Sequence, residues 1–376
     1  MSMQRFFATA AMGLEEVLAR ELQQLGLEHV QVERGGVAFS GEKRDAWRAC
    51  LHLRTANRVL QPIAEFPCQT AEELYGTVKE LPWEEFLDKG MTLAVDANLR
   101  DSQLTHSRFV ALKTKDAIVD RLRDRTGWRP DIDPKSAGLR VNVHLATDYC
   151  TLSLDLAGAS LHRRGYRSDP NLAPLRETLA AGLIALSEWD AESPFIDPMC
   201  GSGTLPLEAA LMATRTPPGL LDPAFSFQLW PDFDAVAWTQ IIEEAKATGR
   251  PLTAGQISGA DRDPRILAKA RRNAESLPFG SQLTWLQSDF TRLRPPQANG
   301  TLICNPPYGE RLGDQEQLAP FYRQIGDTLK QHWTGWTAWV FTGNLSLAKK
   351  IGLKPSRRIV LYNGPIECRL LKFELY

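Results

Sequence analysis

The sequence of 376 residues has little of what marks a secreted, metal-binding or membrane protein. Its six cysteines (Cys50, Cys68, Cys150, Cys200, Cys304, Cys368) form no Cys-x-x-Cys pair and no regular framework, and its six histidines show no ligand spacing. This argues against a disulfide scaffold and a zinc site; reduced cytosolic thiols and no metal are expected. Long apolar runs are missing as well, none approaching the ~20 residues that span a bilayer. The opening Met1–Met12 resembles a leader only superficially. Leu14, Val17, Leu18, Leu22 and Leu25 continue it as an amphipathic helix, and Glu15 and Glu16 come too early for a signal peptide. A soluble, cytoplasmic protein with no membrane partner is expected. Nor does one sign of charge dominate: 44 Lys and Arg balance 45 Asp and Glu, so any nucleic-acid contact must come from local patches.

What is present is concentrated in short motifs at predicted strand ends. The apolar run Thr301–Cys304 stops at Asn305-Pro306-Pro307-Tyr308. A short β-compatible run bounded by proline reads as a buried strand entering a loop. Two prolines fix φ twice and remove two backbone donors. The Asn305 side-chain oxygen and the Pro306 carbonyl are then available as acceptors, with the Tyr308 ring beside them. Such a group suits a planar amine, for example a nucleobase. A Pro-rich turn that only caps the strand is the competing reading. Cys304, inside the apolar run, is expected to be inert core rather than a nucleophile.

Further motifs favour the nucleobase reading. Phe195-Ile-Asp-Pro-Met-Cys-Gly-Ser-Gly-Thr-Leu205 is a strand running into a glycine turn, followed by Leu207, Ala210, Leu211 and Thr214 at helical spacing. Strand, glycine turn and helix form the nucleotide-cofactor corner of a doubly wound sheet. The third spaced glycine of a dinucleotide fingerprint is missing. Asp197 before the turn would repel a pyrophosphate but suits a cation, so S-adenosylmethionine is the expected cofactor. Gln256–Asp261 is a second strand ending in an acid, placed to hold ribose hydroxyls, with a helix predicted from Pro264 to about Ser276. Its distance from the glycine turn implies an insertion over about 215–250. Asp289, in Leu286–Phe290, ends the next strand and is placed to accept from an adenine amino group.

The first 165 residues carry none of these signals. They read as βαβ-like units: strand Arg5–Thr9, helix 13–25, strand 37–40, helix 42–54, strand Thr92–Ala97 and helix 108–124. That last helix places Ala111, Leu112, Ile118, Val119 and Leu122 on its apolar side. Leu139–Leu145 and Thr151–Leu156 alternate around Ala146–Tyr149 as a hairpin. Between Arg108 and Arg140, nine Lys or Arg face five Asp. His162-Arg163-Arg164-Gly165-Tyr166-Arg167 is denser and reads as a phosphate-contacting linker or a solvated hinge. The insertion's aromatics, Phe225 to Trp230, suit either a satellite cluster or a substrate cleft. Trp333, Trp336 and Trp339 read as core.

Asp197–Thr204, Asn305–Leu312 and Leu161–Arg167 together resemble the THUMP-domain RNA guanine-N2 methyltransferases, in particular the N-terminal half of the bifunctional bacterial 23S ribosomal RNA methyltransferase. The likeness extends to Phe7–Glu16, Gly35-Gly-Val37, Lys115–Asp120 and Arg140–Val143, and a second methyltransferase domain after Tyr376 is not expected. It implies an α/β chain in four parts: a ferredoxin-like domain (1–65), a THUMP RNA-binding domain (66–160), a basic linker (161–175) and a class I, Rossmann-like methyltransferase domain (176–376). The residues it implies for cofactor binding are Thr178, Asp197, Pro198, Cys200, Gly201, Gly203, Thr204, Asp261, Arg262, Asp289, Phe290 and Asn305. Asn305, Pro306, Pro307 and Tyr308 would take the target base. Lys113, Lys115, Arg121, Arg163, Arg164, Arg167 and Arg311 would contact RNA. The expected substrate is 23S rRNA; tRNA, or an assembly factor with a vestigial methyltransferase domain, are the alternatives.

Overall fold

The computed structural model describes residues 3–167, 175–309 and 314–376, the last span without the side chains of 314–317. The N-terminal elements are β1 (Gln4–Ala10), α1 (Glu15–Gln24), β2 (Glu28–Glu33), β3 (Gly36–Gly41), α2 (Lys43–His52), β4 (Ala56–Pro67), α3 (Ala71–Glu80), β5 (Thr92–Arg100), α4 (Ser107–Thr126), β6 (Asp131–Ile132), β7 (Leu139–Ala146) and β8 (Tyr149–Asp155). Their strands form one sheet in the order β2-β3-β1-β4-β8-β7-β5-β6. The reason is β4, which pairs with β1 early in its length and with β8 later. Segments expected as two small domains therefore share a single sheet.

Alternation decides which face is core. Phe6 and Ala8 of β1, Val59 of β4, and Val141, Val143 and Leu145 of β7 are fully buried. Helix α2 packs on β3 and β4, and α4 on β5. The expected β7–β8 hairpin is present; Thr147 and Asp148 both take positive φ (+52° and +58°), as a two-residue mirror-image turn requires. The face expected for α4 needs correction: Val110, Thr114, Ala117, Ile118 and Leu122 are buried, whereas Leu112 is 48% exposed.

The C-terminal elements are α5 (Glu177–Leu186), β9 (Phe195–Asp197), α6 (Thr204–Ala213), α7 (Ala235–Ala247), β10 (Ile257–Asp261), α8 (Pro264–Glu275), β11 (Thr284–Gln287), β12 (Gly300–Cys304), α9 (Asp314–His332), β13 (Trp336–Thr342), α10 (Leu345–Ala348), β14 (Arg357–Asn363) and β15 (Ile366–Glu374). The sheet order is β11-β10-β9-β12-β13-β15-β14. The first five strands are parallel, and the β14–β15 hairpin is antiparallel at the edge. Trp333, Trp336 and Trp339 lie in the core, with Trp333 edge-on to Trp336 at 5.1 Å. Chain order reverses between β9 and β12, the point at which open α/β sheets bind ligands beyond their carboxyl ends.

The insertion belongs elsewhere. Residues 223–243 group with the N-terminal sheet. Phe227 stacks on Trp47 (5.2 Å) and on Phe225 (5.4 Å), with Trp238 edge-on to both phenylalanines. The Trp230 indole N–H donates to the Gly138 carbonyl at 3.3 Å. These aromatics form a satellite cluster.

Candidate active site

Four strand ends build the site. At the end of β9, the turn into α6 closes through Gly203 N–H donating to the Cys200 carbonyl and Cys200 N–H donating to the Ala260 carbonyl, both 2.8 Å. Gly201 (φ +54°) and Gly203 (φ +87°) occupy the left-handed region. A methyl group on Gly203 would come within 2.8 Å of the Trp285 ring, and one on Gly259 within 2.6 Å. The indole from β11 thus fills the space that two glycines leave. Asn273 of α8 donates to the Ser202 carbonyl at 3.0 Å, tying the turn to the neighbouring helix.

The three acids occupy different environments. Asp197 is 3% exposed, and its Oδ1 accepts from Met199 N–H at 3.0 Å. Burial pushes its carboxyl up to about 8; the Met199 hydrogen bond opposes this and the nearby Asp261 adds to it. Asp261 accepts from Gly201 N–H (3.1 Å) and from Asp263 N–H (2.9 Å), so this acid links the glycine turn to the start of α8. Asp289 Oδ1 accepts from both the backbone and the hydroxyl of Thr291, which hold its carboxyl below the usual range; Arg262, exposed beside it, lowers it further. Pro198 and Cys200 are buried in the turn, Thr204 begins α6, and Thr178 on α5 is 1% exposed. The Phe290 side chain packs into the sheet core. Burial raises the thiols of Cys200 and Cys304 well above the ordinary value, consistent with inert core.

At the end of β12, Asn305 Oδ1 is buried and has no hydrogen-bond partner among the described residues. An amide oxygen left in that condition costs on the order of 1–3 kcal/mol unless a ligand supplies a donor. Pro306 is buried and Pro307 exposed. Tyr308 is held in place: its hydroxyl accepts from Asn363 Nδ2 at 3.0 Å and its carbonyl from Asn344 Nδ2 at 3.4 Å. A methyl group on Gly343 would meet the Tyr308 ring at 3.0 Å. Asn344 also caps α10, accepting from Ser346 N–H and Leu347 N–H. Trp285, Asn273, Asn344 and Asn363 escaped the sequence reading. Gly343-Asn344 at the end of an apolar strand was a usable signal; the others left none.

The basic residues fall out differently from expectation. Arg164 is 3% exposed and pairs with Glu208 at 3.4 Å, where the Tyr166 hydroxyl also donates at 3.0 Å. Arg167 pairs with Glu177 and donates to the Leu175 carbonyl (2.6 Å) and Thr204 Oγ1 (3.2 Å). Both guanidiniums are thus committed to internal partners, and the expected phosphate contacts give way to an internal ionic network, buried at Arg164 and half-buried at Arg167. Burial raises the Glu177 carboxyl, with Arg167 opposing it. Arg163 is exposed. On α4, Arg121 makes a forked pair with Glu84, Lys115 pairs with Asp116 at 2.7 Å, and Lys113 lies 4.8 Å over the Tyr75 ring. Arg311 lies outside the described residues.

A glycine turn, a buried acid and an amide oxygen without a partner among the described residues, at adjacent parallel strand ends, define a class I methyltransferase, and S-adenosylmethionine is the cofactor whose cationic group such an acid suits. Residues 164–372 match the family described as RMKL-like, methyltransferase domain; residues 5–60 match the RlmL ferredoxin-like domain, and 68–155 the THUMP domain. The chain is 44% identical over 371 residues to slr0064 of Synechocystis sp., named as a candidate RNA methyltransferase, covering 99% of this chain and 97% of that one. It is also 44% identical over 382 residues to the ribosomal RNA large subunit methyltransferase K/L of Syntrophotalea carbinolica, covering 99% of this chain but 53% of the relative. SMU.472, a candidate methyltransferase solved with SAH, superposes with a TM-score of 0.89 at 33% identity, covering 100% of this chain and 99% of that one. The chain belongs to this RlmL-like family of S-adenosylmethionine-dependent RNA methyltransferases.

Proposed function

We propose that the protein transfers a methyl group to the exocyclic N2 of a guanine in 23S rRNA. The observation that carries the chemistry is the buried Asn305 Oδ1 at the end of β12, which has no partner among the described residues; the similarity to a ribosomal RNA large subunit methyltransferase supports the substrate. The residues present fit the cofactor. Asp197, Gly201 and Gly203 would hold its methionine portion, Asp261 its ribose and Asp289 its adenine amino group. S-adenosylmethionine, when bound, supplies a methyl group already activated by a sulfonium. The chain's own task is to position and polarise a weak nucleophile.

Asn305 Oδ1 and the Pro306 carbonyl would accept the two N–H bonds of the guanine amine. Charge that develops on the amine is then met by fixed acceptors; losing one such contact costs about 2.7–4 kcal/mol in comparable electrostatic sites. Alignment about 3–3.5 Å from the methyl group supplies much of the remainder. The Tyr308 ring, fixed by Asn363 and Gly343, would stack on a base taken out of its helix or loop. Asn305→Ala should lower single-turnover methylation by roughly 100-fold or more, with S-adenosylhomocysteine affinity nearly kept by calorimetry. Wild-type turnover in that variant would remove Asn305 from the mechanism.

A further inference from the structure

One guanidinium joins the first turns of two helices beside the glycine turn. Arg167 pairs with Glu177, the first residue of α5, and donates at 3.2 Å to Oγ1 of Thr204, the first residue of α6. A further bond, to the Leu175 carbonyl at 2.6 Å, holds the chain just before α5. Thr178 follows Glu177, and Gly203 precedes Thr204; both are candidate cofactor residues. Helices α5 and α6 pack on one another, and Arg167 ties that contact together where both helices begin. A second group backs the first. Glu208 lies one turn beyond Thr204 on the same face of α6. Its Oε1 accepts from Arg164 Nε at 3.4 Å and from the Tyr166 hydroxyl at 3.0 Å.

Stability does not account for this arrangement. A cation near a helix N-terminus opposes the helix dipole, and Arg167 stands at two of them. Neither helix has a side-chain cap at its start, where Arg176 and Gly203 precede α5 and α6. Glu208 is fully buried, yet its Oε2 has no partner among the described residues. Buried ion pairs with an unmet acceptor stabilise a fold less than well-packed apolar side chains of similar volume. What such a network does fix is the relative position of the groups it joins.

We propose that Arg167 is a positioning residue for the cofactor, holding Thr178 on α5 and the Gly201–Gly203 turn before α6 at the separation that the methionine portion of S-adenosylmethionine requires. The proposal rests on the placement of the cofactor at the glycine turn and is independent of which RNA is methylated. Arginine suits the task because its planar fork presents several donors in a fixed geometry. One side chain thereby meets a carboxylate, a carbonyl and a hydroxyl at once, whereas the lysine ammonium is a point charge on a flexible stem.

The test is calorimetric binding of S-adenosylhomocysteine to the full chain, paired with steady-state methylation of unmodified rRNA at varied S-adenosylmethionine. Arg167→Lys should keep the charge opposite Glu177 and the fold, and weaken S-adenosylhomocysteine binding about 10-fold. In turnover the same loss should be a raised KM for S-adenosylmethionine, with kcat falling far less. Thr204→Val removes the acceptor at nearly constant shape and should act alike, while Thr204→Ser should restore binding. Arg167→Lys combined with Thr204→Val should cost little more than either alone, since both break one link. Arg167→Met should leave the salt slope of RNA binding unchanged, because a lost phosphate contact would flatten it by roughly 0.7–0.9; if that variant does not fold, Arg167→Lys with Thr204→Val carries the test. Wild-type S-adenosylhomocysteine affinity beside a lowered melting temperature overturns the proposal, as do additive losses or a flattened salt slope. Asp197→Asn separates this failure from that of the cofactor placement. Weakened binding there, with wild-type affinity in the Arg167 variants, rejects the positioning role alone; wild-type binding in Asp197→Asn as well rejects the placement.

Discussion

The Asp197 carboxyl and the Asn305 Oδ1 are polar groups that the fold buries at some cost, and each shows what a bound ligand must bring. Asp197 ionises near 8 instead of 3.8 because burial disfavours its charge. An unfolded chain ionises it earlier, so its contribution to stability is complete below about pH 4 and is lost as pH rises through about 8. The ligand-free protein should therefore lose thermal stability over that window, and Asp197→Asn should flatten the decline. A bound cation reverses the preference. At pH 7 the carboxyl is mostly protonated, so cofactor binding should release a proton. Calorimetry in buffers of different ionisation enthalpy should show this, and Asp197→Asn should abolish it. A wild-type binding enthalpy independent of buffer would contradict this account of the site.

At the scale of elements, the parts that the sequence reveals are those whose signals are local. The β9 glycine turn, the β12 end at Asn305 and the β7–β8 hairpin each carry their reason within a few residues. Several elements escaped, and β2, β4 and α3 show why. β2 is polar and mostly exposed, without alternation. β4 contains Pro62 and Pro67, residues that normally argue against a strand; a bulge between Pro62 and Ala64 accommodates the first. α3 announced itself through a Thr70–Glu73 capping box that went unread. Arg164 and Arg167 misled for a different reason: Glu208 and Glu177, their partners, are remote in sequence or in another element, and a cluster of arginines does not reveal whether acids lie beneath it. Two substitutions test the element-level account. Gly203→Ala forces a side chain into the left-handed region against Trp285 and should cost about 1–3 kcal/mol, read as a lower melting temperature and weaker S-adenosylhomocysteine binding. Phe227→Ala removes the ring between Trp47 and Phe225 and should cost about 3–5 kcal/mol in denaturant unfolding of the N-terminal unit, with cofactor affinity kept.

At the scale of the whole molecule, the chain combines ferredoxin-like and THUMP domains on one mixed sheet with a methyltransferase domain on a largely parallel one. Among the described residues no helix is long and apolar enough to cross a membrane. The chain spans nearly all of its Synechocystis relative and about half of the K/L methyltransferases, so the reaction assigned to it must be shown on this chain itself. The most direct measurement is to incubate the protein with methyl-labelled S-adenosylmethionine and separate pools of unmodified rRNA and tRNA, then digest the RNA and identify the labelled nucleoside. N2-methylguanosine from 23S rRNA is the predicted result. Label on a different nucleoside, or in tRNA alone, would contradict it.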